Sequence, residues 1–262
     1  MSDCSELLKW AAVRLGLRWA GFRNVRGQVC KRIVRRAREL GLSGLDDYRR
    51  HLEAHSDEWD VLARLCRVTI TRFGRDLHVW RRLVEHELPR LAEAATAGGR
   101  DHLSAWSAGC AGGEEPYTLS IAWELEVAPR WPSLQLDVLG TDIDEEELAR
   151  AAAGTYPDGA MTELDPRWRT AGFDADNRVR DGFRARVRFQ RHDLRADPAP
   201  AGPLDLILCR NLAFTYFGEE AQRDVLATFR RVLRPDGVLV VGKGETVPDG
   251  GFTLVAPLVY RP

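Results

Sequence analysis

The first third of the chain repeats apolar residues at helical spacing. In VCKRIVRRARELGL the apolar positions from Val29 to Leu40 fall on one face and arginines on the other, which predicts an amphipathic helix ending near Gly41. The same spacing recurs in LDDYRRHLEAH, EWDVLARLCRV and LHVWRRLVEHELPRL. We therefore predict a small all-α domain over residues 1–95, followed by a flexible linker in AEAATAGGRD.

Beyond residue 96 short apolar runs alternate with helical segments. Runs of strand length lie in HLSAWSAG, LQLDVLGTD, VRFQRHDL, LDLILCRN, GVLVVGKGE and FTLVAPLVYR, and each is predicted to form one strand. Helical spacing fills EEPYTLSIAWELEV, DEEELARAAAG and EEAQRDVLATFRRVL. This alternation is typical of a doubly wound, mostly parallel sheet with helices on both faces. We therefore predict an α/β domain over residues 96–262.

Charge is balanced over the whole chain but not along it. The formal net charge is -1, whereas residues 14–50 hold eleven Lys or Arg against three acids. A basic segment indicates an acidic partner for the N-terminal helices, with Lys31, Arg32, Arg35 and Arg36 as candidate contacts. This face lacks interleaved aromatic residues and a recognised docking motif, so we expect no nucleic acid partner.

The five cysteines are scattered, odd in number and without CxxC spacing. This usage argues against a disulfide framework and against structural zinc, and favours a reducing cytoplasm. His51 and His55 lack the HExxH arrangement, so we expect no metal. Since no apolar run has membrane length, we predict a cytoplasmic protein without membrane insertion, and nothing in the sequence requires more than a monomer.

The stretch WSAGCAGGEEPY places three glycines between the first predicted strand and the next helix. Ligands of doubly wound sheets bind beyond the carboxyl ends of the strands, and Gly109, Gly112 and Gly113 would let the backbone approach one closely. The spacing is not GxGxxG, and Glu114 and Glu115 at the helix start would repel a pyrophosphate. The loop therefore favours a cationic nucleoside without phosphates, and S-adenosylmethionine is one.

Polar residues end the next three predicted strands as well. Asp142 closes the second strand, where a carboxylate can accept both ribose hydroxyl protons. Asp193 and Leu194 follow the third strand, where adenine contacts would lie, and Arg210 and Asn211 follow the fourth. Because the carboxyl ends of parallel strands share one edge, we predict a single rim that holds the nucleoside.

These motifs together resemble the chemotaxis receptor glutamate methyltransferases, the CheR family. The resemblance rests on WSAGCAGGEEPYTLSI, LGTDID, ARAAAGTY, LILCRN and LRPDGVLVVG, preceded by CRVTITRFGRDLHVW, and covers nearly the whole chain. It implies a class I methyltransferase-like fold, with S-adenosylmethionine as cofactor and S-adenosylhomocysteine as product. The implied reaction transfers a methyl group to glutamate side chains on the helical cytoplasmic region of chemoreceptors.

The resemblance also implies roles for single residues. Positions matching the cofactor pocket, together with the glycine loop, are Thr69, Thr71, Arg75, Gly109, Glu115, Asp142, Asp193, Leu194, Arg210 and Asn211. Glu115 matches the acid near the methionine amino group, and Asp142 matches the ribose acid. For catalysis we expect Arg75 to orient the substrate carboxylate through paired hydrogen bonds, and Tyr216 to supply a hydroxyl near the methyl group.

Several positions depart from the family pattern. Gly74 stands where an aromatic is frequent, and Thr69 where asparagine is frequent. Tyr216 lies five residues after Asn211, whereas the family tyrosine lies four after, and GKGE with Glu245 replaces GxSE. Two alternatives therefore stay open: a carboxyl methyltransferase for a small acid or another protein, and a non-catalytic module that binds the cofactor.

Overall fold

The computed structural model describes residues 4–262, which form two compact units. The first unit contains the described residues up to Val68 together with Thr215–Gln222. The second contains Thr69–Phe214 and Arg223–Pro262. The first unit is helical, and its helices are α1 (Cys4–Arg14), α2 (Arg26–Glu39), α3 (Leu45–Ala54) and α4 (Glu58–Leu65).

Helix α2 turns its apolar residues toward the core of the first unit. Val29, Ile33 and Ala37 recur every fourth position and are all buried, as their spacing predicts. They share one apolar cluster with Tyr48 and Leu52 of α3. Packing of this stripe therefore decides which side of α2 faces solvent.

A disulfide joins Cys4 of α1 to Cys30 of α2, which corrects the expectation drawn from cysteine usage. Helices α1 and α2 pack together and bring the two Cα atoms to 5.9 Å, within the range that a disulfide spans. Spacing along the chain cannot reveal this proximity. Cys66, Cys110 and Cys209 are free and buried.

Arg36 of α2 holds the first unit together. Its Nε and Nη2 donate to the two carboxylate oxygens of Glu58 at 2.9 and 2.7 Å, and the Tyr48 hydroxyl donates to the same carboxylate at 2.8 Å. The side chain of Glu58 is only 4% exposed. The hydrogen bonds from Arg36 lower the pKa of the Glu58 carboxyl against the opposing effect of burial.

Arg32 also has internal partners, since its guanidinium donates to the carbonyl oxygens of Leu65 and Arg67. Lys31 and Arg35 are exposed. The structure therefore divides the predicted basic contact face: two of its cations are presented to solvent, and the two that make these internal bonds are not a free surface.

Beyond Val68 the described residues contain seven strands and further helices. The strands are β1 (His102–Ala108), β2 (Gln135–Asp142), β3 (Val187–Arg191), β4 (Leu204–Cys209), β5 (Leu233–Val241), β6 (Thr253–Ala256) and β7 (Val259–Arg261). The helices are α5 (Leu77–Arg82), α6 (Leu88–Ala97), α7 (Glu114–Ala122), α8 (Glu145–Ala153), α9 (Pro166–Gly172), α10 (Asp181–Arg184), α11 (Ala213–Tyr216) and α12 (Glu219–Val232). None of the helices within residues 4–262 has both the length and the apolar character needed to cross a membrane.

The strands form one sheet of order β3-β2-β1-β4-β5-β7-β6, which confirms the predicted α/β fold. Strands β1 to β5 pair in parallel, and β7 is antiparallel to both of its neighbours. Every residue of β4 is buried, as a continuous apolar run predicts for a central parallel strand. The strand order reverses between β1 and β4, so a ligand crevice is expected at their carboxyl ends.

The stretch FTLVAPLVYR forms a hairpin of β6 and β7 rather than the single strand predicted. Pro257 and Leu258 make the turn, and Leu258 has a φ of +66°. A proline has no N–H to donate to a strand ladder, so the chain reverses there.

The predicted linker AEAATAGGRD is also wrong over most of its length. Helix α6 continues through it to Ala97, and Ala92 and Ala95 are fully buried in the core of the second unit. Alanine is a strong helix former whose small side chain allows close packing, so this composition suits a helix against a sheet. Helices α5 and α6, placed in the N-terminal domain by the sequence, belong to the second unit.

Replacing Arg36 with Ala should lower the free energy of unfolding by about 2–3 kcal/mol at pH 7, because the variant leaves the Glu58 carboxylate buried without its cation. The folded pKa of Glu58 is lowered, so the pair contributes above the ordinary Glu value of 4.5 and is lost as pH falls through the folded pKa. Urea titrations should therefore show a smaller difference in unfolding free energy between the parent chain and Arg36→Ala at acidic pH.

The matched control is Arg35→Ala, which removes an exposed side chain 3.5 Å from Glu39 and should cost under about 0.5 kcal/mol. Equal losses in the two variants would contradict this role.

Candidate functional site

The loop between β1 and α7 is fixed by backbone contacts. Gly109 and Gly113 have φ of +82° and +87°, the left-handed region that favours glycine. The N–H groups of Gly109 and Cys110 both donate to the carbonyl oxygen of Thr141 at 2.8 Å. A side chain at Gly109 would collide with Leu212, which follows β4. The predicted glycine loop thus lies at the switch point of the sheet, where the strand order reverses between β1 and β4.

Asp142 ends β2 and binds the loop to that strand. One carboxylate oxygen accepts from the N–H of Ala111 at 2.9 Å, and the other accepts from the N–H of Asp144 at 2.9 Å. Burial raises the pKa of the Asp142 carboxyl, and these backbone donors oppose the rise. A carboxylate has about four acceptor sites, so two bonds leave acceptors for the hydroxyls of a ligand.

Glu115, in the first turn of α7, is held from two strands. The Ser107 hydroxyl donates to its Oε1 at 2.7 Å, and Nη1 of Arg210 donates to its Oε2 at 3.3 Å. Burial raises the pKa of the Glu115 carboxyl, and Arg210 is the chief opposing group. Nη2 of Arg210 also donates to the carbonyl oxygen of Arg75 at 2.7 Å and to Asp76 at 2.9 Å. One buried guanidinium therefore connects β4, α7 and the segment before α5.

Arg75 lies in that segment, and within residues 4–262 most of its guanidinium donors have no hydrogen-bond partner. Its Nη1 donates to the carbonyl oxygen of Ile70 at 2.9 Å, and its charge lowers the pKa of the Glu115 carboxyl. A guanidinium has five N–H donors in a planar fork, which suits a second, external carboxylate. Thr69 and Thr71 are half-buried in the same segment.

Gly74 departs from the family pattern for a structural reason. Its φ is +68°, and a Cβ there would lie 2.8 Å from the carbonyl oxygen of Glu163 and 3.0 Å from Cα of Leu164. Its N–H donates to the Thr118 hydroxyl at 3.2 Å. Backbone therefore occupies the space that a side chain at this position would need.

Asn211 follows β4 in the left-handed region, at φ +58°. Its N–H donates to Oε2 of Glu245 at 2.8 Å, and the N–H of Gly242 donates to the same oxygen at 2.6 Å. Glu245 thus joins the carboxyl ends of β4 and β5. The acid of the GKGE motif therefore holds two strand ends together, a structural role that the motif alone did not indicate.

Asp193 and Leu194 follow β3, as predicted. The Asp193 carboxylate accepts from the N–H of Arg195 at 2.9 Å, and the N–H of Asp193 donates to Asp197 at 2.8 Å. These bonds shape a turn beyond the strand. Contact of Asp193 and Leu194 with adenine stays a prediction.

Tyr216 belongs to the first unit. Its ring centroid lies 5.5 Å from that of Phe22, and its carbonyl oxygen accepts from the N–H of Arg18 at 2.7 Å. The ring packs against the apolar cluster of that unit. A role for its hydroxyl near the methyl group stays a prediction.

Sequence reasoning missed Ser107 and Asp76, which both contact the Glu115–Arg210 pair. Ser107 is fully buried within β1. A hydroxyl inside an apolar strand requires a partner, and this was the available signal. Asp76 had no comparable signal, because its contact with Arg210 spans most of the domain in sequence.

Comparisons with known proteins match most of this chain. Residues 69–256 match a family model described as "CheR methyltransferase, SAM binding domain". The chain is 33% identical over 204 residues to the chemotaxis protein methyltransferase of Listeria monocytogenes, covering 77% of this chain and 74% of that protein. It is 33% identical over 250 residues to the protein of that name in Escherichia coli (strain K12), covering 90% and 82% respectively.

Replacing Asp142 with Asn should weaken binding of S-adenosylhomocysteine about ten- to hundredfold by calorimetry. Loss of one charged acceptor removes a backbone tie of the loop and the charge-assisted bonds to ribose, each worth roughly 1.5–3 kcal/mol. Asp137→Asn, on the exposed face of the same strand, is the matched control and should bind as the parent chain does. Parent-like affinity in the Asp142 variant would remove this residue from the pocket.

Proposed function

The chain belongs to the CheR family of S-adenosylmethionine-dependent methyltransferases, and we propose that it esterifies glutamate side chains of chemoreceptors. The observation that carries this proposal is the juxtaposition of Glu115, Arg210 and Arg75. Arg210 donates to Glu115, a buried acid that suits a cationic cofactor. It also donates to the carbonyl oxygen of Arg75, whose own guanidinium suits an anionic substrate.

The carboxylates of the site suit the cationic cofactor. Glu115 and Asp142 provide carboxylates at the switch point, where Glu115 accepts from the Ser107 hydroxyl of β1 and Asp142 accepts from the N–H of Ala111 in the glycine loop. We assign the methionine amino group to Glu115 and the ribose hydroxyls to Asp142. When bound, S-adenosylmethionine supplies a methyl group activated by its sulfonium.

The chemistry of the substrate makes few demands on the protein. A glutamate carboxylate is ionised at pH 7, so its attack needs no general base. A carboxylate oxygen would accept the methyl group that the cofactor supplies, and the electron pair of the broken carbon–sulfur bond would stay on sulfur. Catalysis then depends on alignment of the two reactants and on removal of water from both charges. Arg75 would hold the carboxylate in line, and a catalytic role for the Tyr216 hydroxyl stays part of the proposal.

The exposed cations of α2 support an acidic protein substrate. Lys31 and Arg35 would contact the helical cytoplasmic region of the receptor, and such contacts should weaken as salt rises. A cytoplasmic location and action as a monomer, without nucleic acid, belong to the same proposal.

The proposed reaction predicts that the purified chain transfers tritiated methyl groups to receptor cytoplasmic fragments. The label should be released as methanol by mild base, since a carboxyl ester is base-labile. Fragments in which the candidate glutamates are replaced by Ala are the control. Label on small acids alone would favour the small-acid alternative, and cofactor binding without transfer would favour a non-catalytic module.

Replacing Arg75 with Ala should lower turnover roughly a hundredfold, because a misaligned carboxylate loses the advantage of positioning. Affinity for S-adenosylhomocysteine should change less than about threefold. Arg72→Ala, which removes an exposed arginine 2.9 Å from Glu163, is the control and should retain turnover. Full turnover in the Arg75 variant would exclude it from the mechanism.

A further inference from the structure

Arg150 of α8 lies against the backbone of the glycine loop. A side chain at Gly112 would collide with the guanidinium of Arg150, so the glycine leaves room for this cation. The Tyr156 hydroxyl also donates to the carbonyl oxygen of Gly112, at 2.7 Å. Gly112 therefore lies beside two side chains that the sequence did not assign to the site, and one of them is hydrogen-bonded to its carbonyl oxygen.

Two acids lie within ion-pair distance of the Arg150 guanidinium, whose Nε has no hydrogen-bond partner among the described residues. Its Nη2 lies 2.7 Å from Glu147 of the same helix and 3.3 Å from Oε1 of Glu114, the first residue of α7. Glu114 is 1% exposed, and among residues 4–262 its Oε2 has no hydrogen-bond partner. The ion pair with Arg150 therefore lies at the first residue of α7, directly before Glu115.

We propose that Arg150 is a positioning residue for the cofactor loop and that the Glu114 carboxylate fixes it against Gly112. The inference rests on the cofactor role proposed for this loop. Arg150 acts through the backbone on either side of Gly112. In one direction this backbone leads to Glu115, and in the other to Ala111, whose N–H donates to Asp142. Weakening the contact between Arg150 and Glu114 would therefore loosen the cofactor contacts proposed for Glu115 and Asp142 together.

The charge on Glu114 should make this tie sensitive to pH. Burial raises the pKa of the Glu114 carboxyl to about 7, against the opposing charge of Arg150. The other groups that face it are Glu147, Cys110 and Tyr156. Burial raises the pKa of the Cys110 thiol and of the Tyr156 phenol, so both stay neutral between pH 6 and 8. Protonation of Glu114 would remove its attraction for Arg150 as pH falls through 7.

Calorimetry with S-adenosylhomocysteine at pH 6 and 8 tests the proposal. Arg150→Met should bind about tenfold more weakly at pH 8, and Arg150→Lys should recover most of this loss. The parent chain should bind up to about tenfold more weakly at pH 6 than at pH 8, and Glu114→Gln should flatten that difference. Arg188→Met removes an exposed arginine of β3 and is the matched control.

Thermal unfolding separates positioning from a merely structural role. The folded pKa of Glu114 lies above its ordinary value of 4.5, so ionisation costs stability as pH rises from there to about 7. Glu114→Gln should therefore not lower the melting temperature at pH 8. Parent-like affinity in Arg150→Met, or an unchanged pH difference in Glu114→Gln, would overturn the inference alone. No binding by the parent chain would instead overturn the proposed function with it.

Discussion

The buried ion pair between Arg210 and Glu115 is the interaction on which the candidate site depends. Arg210 is 3% exposed, so its charge needs partners that stay in place. It finds them on α7 and in the segment before α5, and the Trp80 ring lies 5.5 Å from the guanidinium. Arg210 thereby connects α7, which carries the acid proposed to bind the cofactor, to the segment that carries Arg75. Loss of Arg210 would leave the Glu115 carboxylate buried without a cation, whereas loss of Glu115 would leave Arg210 with Asp76 as its remaining acid.

The fold could be predicted because its signals are local. Buried parallel strands read as continuous apolar runs, and a polar group directly after each run marks a strand end. Gly109 and Asp142 could be placed at one edge from these rules alone, and the N–H of Gly109 donates to the carbonyl oxygen of Thr141, directly before Asp142. The glycines, the acid and the strand ends can each be identified from a few consecutive residues. Predicting them therefore does not depend on how distant segments pack.

What could not be predicted depends on contacts between distant segments. The helical period places Arg32 and Arg36 on the same polar face of α2 as Lys31 and Arg35. In the structure, however, Arg32 and Arg36 donate to acceptors in or just after α4 and are held by these internal hydrogen bonds. The disulfide between Cys4 and Cys30 arises in the same way, from the packing of α1 on α2. A helical period identifies a polar face but not which of its charges a neighbouring helix will claim.

The distribution of charge also bears on the direction of the proposed reaction. A sulfonium and a carboxylate carry opposite charges before transfer, whereas the thioether and the ester that replace them are neutral. A site that excludes water withholds hydration from the charged pair, so loss of both charges is favoured there more than in solution. Glu115 and Asp142 would still attract the amino group and ribose of the product, but one positive charge fewer remains for them to hold. Methyl transfer would therefore relieve the cost of burying two charges, while the contacts proposed for the amino group and the ribose stay the same in the product.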